Sequence, residues 1–142
     1  MQKTSLTATS NLAASQALLG PWSKVQRRYA IWGASLAALA VMLGAFGAHT
    51  LANYLTEARL ATFETAVRYQ MYHGIAILAI SALPLAVQGA VPFLLAGTLI
   101  FSGSLYLLIA SNVSVLGAIT PLGGVLQIIG WFVLIYRLWR LA

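Results

Sequence analysis

The chain has 142 residues, of which 61% are hydrophobic and 7% are charged. Soluble domains carry about one quarter charged residues, so this composition argues against a soluble globule and predicts a membrane protein. The formal net charge of +6 does not indicate nucleic-acid binding, because the basic residues lie at segment ends and not in a stripe interleaved with aromatics. The lack of cysteine excludes disulfides, thiolate catalysis and zinc–thiolate sites.

The N-terminal part differs in composition from the rest of the chain. Residues 1–28 are rich in Ser, Thr, Ala and Gln and are interpreted as a flexible cytoplasmic tail, with an amphipathic transit peptide as the alternative. Residues 29–142 are predicted to form one membrane domain. A membrane helix needs roughly 20 mainly apolar residues, and the uncharged run at 29–48 predicts the first span.

Three more apolar runs follow. The second span is predicted at 67–87, entered through an interfacial helical lead-in, and the third at 91–110 after a short turn. Thr120 and Pro121 predict the N-cap and the first residue of a fourth span at 120–139. The fold class is therefore predicted to be all-α, an integral membrane bundle of four transmembrane helices.

Basic residues near the spans predict the orientation, because cytoplasmic flanks carry excess Lys and Arg. Lys24, Arg27 and Arg28 precede the first span, and Arg137 and Arg140 end the fourth. Both termini are expected to face the cytoplasm, which agrees with an even number of spans.

Small residues recur at spacings that allow membrane helices to approach closely. The predicted packing positions are Gly33, Ala37, Gly44, Gly47, Ser102, Gly103, Gly123 and Gly130. Packing within the bundle is the simpler interpretation. A face for a homo-oligomer or for another subunit is the alternative.

Ionisable and polar residues crowd the stretch FETAVRYQMYH at 63–73. The predicted topology places this stretch at the outer headgroup boundary, where one histidine of the chain could approach the other. The candidate ligand or proton site comprises His49, Glu64, Tyr69, Gln70 and His73. His49 and His73 could bind a metal, relay protons or hold a haem.

A structural interpretation of the same stretch stays open beside the functional one. Glu64 and Arg68 stand four residues apart, the favourable order for an ion pair on a helix. Tyr69 and Gln70 can share a helix face with His73, which predicts a local hydrogen-bond cluster.

Five short motifs along the membrane part carry a family resemblance. They are LGAFGAH at 43–49, YQMYH at 69–73, FSGSLY at 101–106, TPLGG at 120–124 and GW at 130–131. In this order they resemble the YgdD and transmembrane protein 256 family, over about residues 29–139. The resemblance implies a four-helix integral membrane protein, bacterial or, in the eukaryotic branch, mitochondrial. It implies no established activity.

The function expected from these observations is that of a non-enzymatic accessory or structural subunit docking onto a larger membrane complex. Few acidic residues, few histidines and no cysteine leave little catalytic machinery. No cofactor is expected, and the partners are the lipid bilayer and other membrane subunits. The expected location is the bacterial inner membrane, or the mitochondrial one in a eukaryote. The alternative is a small transporter, or a ligand- or metal-binding protein, that uses the outer-side cluster.

Overall fold

A computed structural model describes residues 22–141 as a bundle of four helices. Helix α1 spans Lys24–His49, α2 spans Glu57–Ser81, α3 spans Val91–Ser111 and α4 spans Thr120–Trp139. No strand occurs within residues 22–141. The all-α prediction is confirmed, whereas most of the predicted tail at 1–28 lies outside the described residues.

Short connections join the helices and make neighbours in sequence neighbours in space. Each connection contains a 3₁₀ helix, at Leu51–Asn53, Leu85–Ala90 and Ser114–Ala118. Helix α2 packs between α1 and α3, and α4 packs on α3. The bundle therefore runs up and down, with both ends of the four-helix unit on the same side.

Local signals explain where the helices begin. Ser23 and Gln26 form a capping box at the start of α1, so this helix begins before the predicted boundary at residue 29. Thr56 is the N-cap of α2, although its side chain makes no capping hydrogen bond. Ile119, and not the predicted Thr120, is the N-cap of α4, because the Thr120 hydroxyl instead contacts Ser104 at 2.8 Å.

Three segments are long and apolar enough to cross a membrane, and they are Lys24–Asn53, Leu85–Ser111 and Ser114–Trp139. Helix α2, with 25 residues, is about 37 Å long, but its first half carries four charged residues. It ends at Ser81 and does not continue to residue 87 as predicted, because Pro84 cannot continue a helix. The apolar residues after Ser81 belong to the connection instead.

Two glycine pairs let the backbones of neighbouring helices touch. At the α1–α2 contact, a Cβ on Gly33 would lie 2.8 Å from the Gly74 carbonyl oxygen, and one on Gly74 would lie 2.9 Å from the Ala37 nitrogen. At the α3–α4 contact, a Cβ on Gly97 or on Gly123 would lie 2.8 Å from the carbonyl oxygen of the other glycine. We call these contacts the two glycine seams, and they fix the helix pairs at short distance.

Of the other predicted packing positions, some contact a neighbouring helix and one does not. Gly47 lies against the Phe63 ring, and Gly130 lies against the Leu94 side chain. Gly44 is looser, since a Cβ there would meet Val67 at 3.4 Å. A Cβ on Gly103 would meet no atom of the described residues within 4 Å, so the prediction that this glycine packs inside the bundle is wrong.

Candidate functional site

The two histidines of the chain lie far apart in the structure. His49 is the exposed last residue of α1, whereas His73 is buried near the middle of α2. Gly74, beside His73, contacts Ala37, which lies twelve residues before His49, or about 18 Å along α1. The two histidines, which the sequence left free to meet or not, therefore do not converge. Within residues 22–141, no three His, Cys, Asp or Glu side chains are grouped so as to hold a metal ion.

Glu64 also stays away from His73. The two residues are nine positions apart on one helix, which places them on opposite sides and about 13 Å apart along the axis. Glu64 is exposed and His73 is buried. Of the five predicted site residues, Tyr69 and His73 line one cavity, whereas Gln70 lies against α1 and α3.

The His73 imidazole is held by hydrogen bonds at both of its nitrogens. Nδ1 lies 2.8 Å from the Tyr69 carbonyl oxygen and donates to it, which leaves Nε2 as an acceptor. The indole N–H of Trp131 donates to Nε2 at 3.3 Å. His73 therefore links α2 to α4 as a neutral ring. A metal or haem iron would have to displace one of these bonds.

Gln70 links three helices. Its amide nitrogen donates to the Leu36 carbonyl oxygen of α1 at 2.8 Å, and its amide oxygen accepts a 3.0 Å hydrogen bond from the Tyr106 hydroxyl of α3. One turn away on α3, the Ser102 hydroxyl donates to the Ala66 carbonyl oxygen of α2 at 2.8 Å. The buried polar residues of α2 thus serve as cross-links between helices.

An apolar groove runs between α1 and α3 and encloses about 160 Å³. Its lining residues are Leu36, Leu39, Leu43, Gln70, Thr98, Leu99, Ser102, Gly103 and Tyr106. We call it the leucine groove. The polar groups of this set bond within the bundle, including the Thr98 hydroxyl, which donates to the Leu94 carbonyl oxygen at 2.7 Å. The groove consequently offers apolar surface to a neighbour.

A second cavity, of about 280 Å³, lies between α2, α3 and α4. It is lined by Tyr69, His73, Phe101, Gly124, Gln127, Ile128 and Trp131, and we call it the aromatic cavity. The Tyr69 and Phe101 ring centroids are 4.7 Å apart. Gln127 is 3% exposed, and its amide nitrogen is buried without a hydrogen-bond partner within residues 22–141.

A third concavity, of about 340 Å³, lies between α1 and α2. Its lining residues are Gly44, Gly47, Phe63, Glu64, Val67, Arg68, Met71 and Tyr72, and we call it the charged groove. Glu64 and Arg68 are both exposed at its edge. Neither side chain has an ion pair or hydrogen bond within residues 22–141, so the predicted Glu64–Arg68 pair is not formed.

Arg59 has a role that the sequence did not reveal. Its guanidinium donates to the Ile109 carbonyl oxygen at 2.7 Å and to the Asn112 side-chain oxygen, both at the end of α3. The last carbonyls of a helix lack partners within it, and Asn112 ends α3 in the left-handed conformation, with φ 59°. An asparagine after an apolar run was the available signal for this helix end.

These features define a small helical membrane protein whose buried polar groups tie its helices together. The chain belongs to a family described as "Protein of unknown function (DUF423)", whose model matches residues 43–124. The membrane-protein family resemblance drawn from the motifs is thereby confirmed.

Relatives agree with this assignment over most of their length. The chain is 45% identical over 118 residues to the UPF0382 membrane protein SAB0533 of Staphylococcus aureus (strain bovine RF122 / ET3-1), covering 80% of this chain and 97% of the relative. It is 45% identical over 113 residues to the UPF0382 membrane protein YwdK of Bacillus subtilis (strain 168), covering 75% of this chain and 92% of the relative. No solved structure matches the chain significantly.

Proposed function

We propose that this protein is a non-enzymatic accessory subunit of a larger membrane complex, and that an apolar transmembrane helix of its partner lies in the leucine groove. The observation that carries the proposal is Gly103. This residue lines the groove, and no atom among residues 22–141 occupies the space where its Cβ would be. Small residues at a lipid-facing surface allow a second helix to approach closely.

The polar residues beneath the leucine groove support docking of a helix over binding of a polar ligand. Gln70, Ser102 and Tyr106 already bond to one another or to the backbone of neighbouring helices. A partner therefore meets mainly the leucine side chains and Gly103. Such a surface associates through van der Waals packing, the main attraction between helices in lipid.

The separation of the ionisable groups supports a role without catalysis. His49, Glu64 and His73 lie at different depths or on different faces, and both nitrogens of His73 are engaged. A general acid or base has to reach the reacting atom, together with a second group that orients it. Within residues 22–141, these three side chains are not grouped at one place.

The orientation of the protein in the membrane is part of the same proposal. Gln26 donates to the Leu83 carbonyl oxygen, and Arg137 donates to the Ala86 carbonyl oxygen, so the start of α1 and the end of α4 share the side of the α2–α3 connection. Basic residues dominate this side, and they are Lys24, Arg27, Arg28, Arg137 and Arg140. We place this side in the cytoplasm of a bacterial cell and the protein in its plasma membrane.

Affinity purification from native membranes tests the docking proposal. The tagged wild-type chain is expected to recover a membrane protein in stoichiometric amount. Gly103→Leu fills the leucine groove and is expected to lose that partner. Ala45→Leu, at an exposed position of α1 that does not line the groove, is the matched control and should retain it. Equal recovery by both variants, or no partner for the wild type, contradicts the proposal.

Gln127 favours a second candidate function, the binding of a small apolar molecule in the aromatic cavity. Its amide nitrogen lacks an acceptor within the described residues, and a ligand carbonyl that reaches this nitrogen would supply one. Native mass spectrometry in mild detergent is expected to show a retained small molecule that Gln127→Met releases. If both proteins have the mass of the bare chain, this second function is wrong.

A further inference from the structure

The charged groove presents two opposite charges at different depths. Phe63, next to Glu64, contacts Gly47, whereas Val67, next to Arg68, contacts Gly44. Arg68 therefore lies one helical turn, about 6 Å, farther from the end of the bundle than Glu64 does. Since α1 ends at His49, just after Gly47, Glu64 lies close to the membrane surface on this side.

The two charged groups of this groove are free to meet a molecule outside residues 22–141. Both side chains are exposed, and neither forms an ion pair or hydrogen bond within residues 22–141. An ionisable side chain that faces hydrocarbon is costly unless it reaches the interface or meets an opposite charge. Arg68 can extend its side chain toward the surface, along the apolar wall of the groove.

We infer that the charged groove holds a phospholipid whose headgroup carries a phosphate and, farther out, an ammonium group. The order of groups along the groove matches the order of groups in such a lipid. Met71 and Tyr72 line the deep part and contact an acyl chain, Arg68 binds the phosphate, and Glu64 accepts hydrogen bonds from the ammonium. Arginine suits the phosphate because its guanidinium can form two parallel hydrogen bonds to phosphate oxygens.

The order of the two charges along the groove favours a lipid over a protein as the occupant. A helix of another protein would need an acidic residue and a basic residue at matching depths. A phospholipid of this class carries its phosphate at the hydrocarbon boundary and its ammonium outside it. The lipid site is also independent of the proposed docking function, because the charged groove and the leucine groove share no lining residue.

Lipid titration of the delipidated full chain in detergent, followed by native mass spectrometry, tests the inference. Phosphatidylethanolamine, phosphatidylcholine and phosphatidylglycerol are the probes. The first two carry the same charges, but choline has no N–H to donate to Glu64, and the third has no cation. We expect phosphatidylethanolamine to bind about two- to fivefold more tightly than phosphatidylcholine, and phosphatidylglycerol to bind least.

Two variants separate the two contacts. Glu64→Gln is expected to abolish the preference for phosphatidylethanolamine over phosphatidylcholine, and Arg68→Gln is expected to weaken binding of all three lipids. Arg27→Gln, an exposed change on the opposite side of the bundle, should leave the preference intact.

Equal binding of the three lipids by the wild type would overturn the inference, as would an unchanged preference in Glu64→Gln. A dimer mass that these variants abolish, without lipid selectivity in the wild type, would assign the groove to a second copy of the chain and also overturn it. Neither result affects the Gly103→Leu test of the docking function.

Discussion

Helix α3 carries glycines that face opposite surroundings. Gly97 lies in a seam with Gly123 of α4, where a Cβ on either residue would press on the backbone of the other helix. Gly103 lies less than two turns away, and a Cβ there would meet no described atom within 4 Å. The comparison teaches that a glycine in a membrane helix can either close a contact inside the chain or leave a surface open to a neighbour.

The polar residues of α2 show the same contrast between its two faces. On the inner face, Gln70 and His73 are buried, and each forms hydrogen bonds to other helices. On the outer face, Glu64 and Arg68 are exposed and have no partner within residues 22–141. The inner groups hold the bundle together, whereas the outer groups remain available to molecules outside it.

The largest effect is expected from closing the space in the α3–α4 seam. Gly123→Ala places a methyl group 2.7 Å from the Phe101 Cα, so the helices must separate, at a cost of about 2–3 kcal/mol. Gly124→Ala is the matched control, because its Cβ would meet the Phe101 ring at an ordinary 3.8 Å. Both changes raise helix propensity equally. Unfolding in detergent, followed by circular dichroism, gives the difference, and equal stabilities would show that the seam is not tightly packed.

A smaller loss is expected from breaking the inner polar links of α2. Gln70→Leu leaves the Tyr106 hydroxyl and the Leu36 carbonyl oxygen without their partner, and should cost about 1–2 kcal/mol. A double-mutant cycle with Tyr106→Phe should give a coupling energy of about 0.6–1.7 kcal/mol. Strictly additive single changes would mean that this hydrogen bond does not stabilise the bundle.

Trp131→Phe should have a still smaller effect. It removes the N–H that donates to His73 at 3.3 Å and keeps an aromatic ring against α2, so we expect a loss of about 0.6 kcal/mol. Trp139→Phe, at the exposed end of α4, is the control and should leave the stability unchanged. An effect of Trp131→Phe larger than that of Gln70→Leu would make the α2–α4 link the dominant one.

Much of the fold followed from the sequence, because apolar runs, capping residues and prolines act locally. The all-α class and the four helices were predicted. The position of α2 along the bundle axis was not predicted, because the apolar run continues past the end of the helix into the connection at Pro84. Because the apolar run was taken as the membrane span, His73 was predicted to lie at the outer surface. The contacts of α2 with α1 and α4 instead place His73 in the middle of the bundle.

The candidate site was harder to predict, because residue spacing on one helix does not say which face its neighbours cover. Spacing placed Gln70 on the same helix as His73, but the predicted local hydrogen-bond cluster does not include Gln70. Gln70 bonds instead to Leu36 and Tyr106, which lie far away in sequence. Likewise, no spacing rule distinguishes Gly103 from Gly123. That distinction depends on where the neighbouring helix lies.

The smallest effect on stability is therefore expected at Gly103. Gly103→Leu adds a side chain toward open space, so the cost should stay within about 0.5 kcal/mol, and the better helix propensity of leucine should offset any loss. The same unfolding assay used for Gly123→Ala measures it. A loss above about 1 kcal/mol would show that the chain itself covers this surface, and the leucine groove would then not be free to receive a partner helix. An unchanged stability, combined with loss of the co-purified partner, would place the role of Gly103 outside the fold, in contact with another protein.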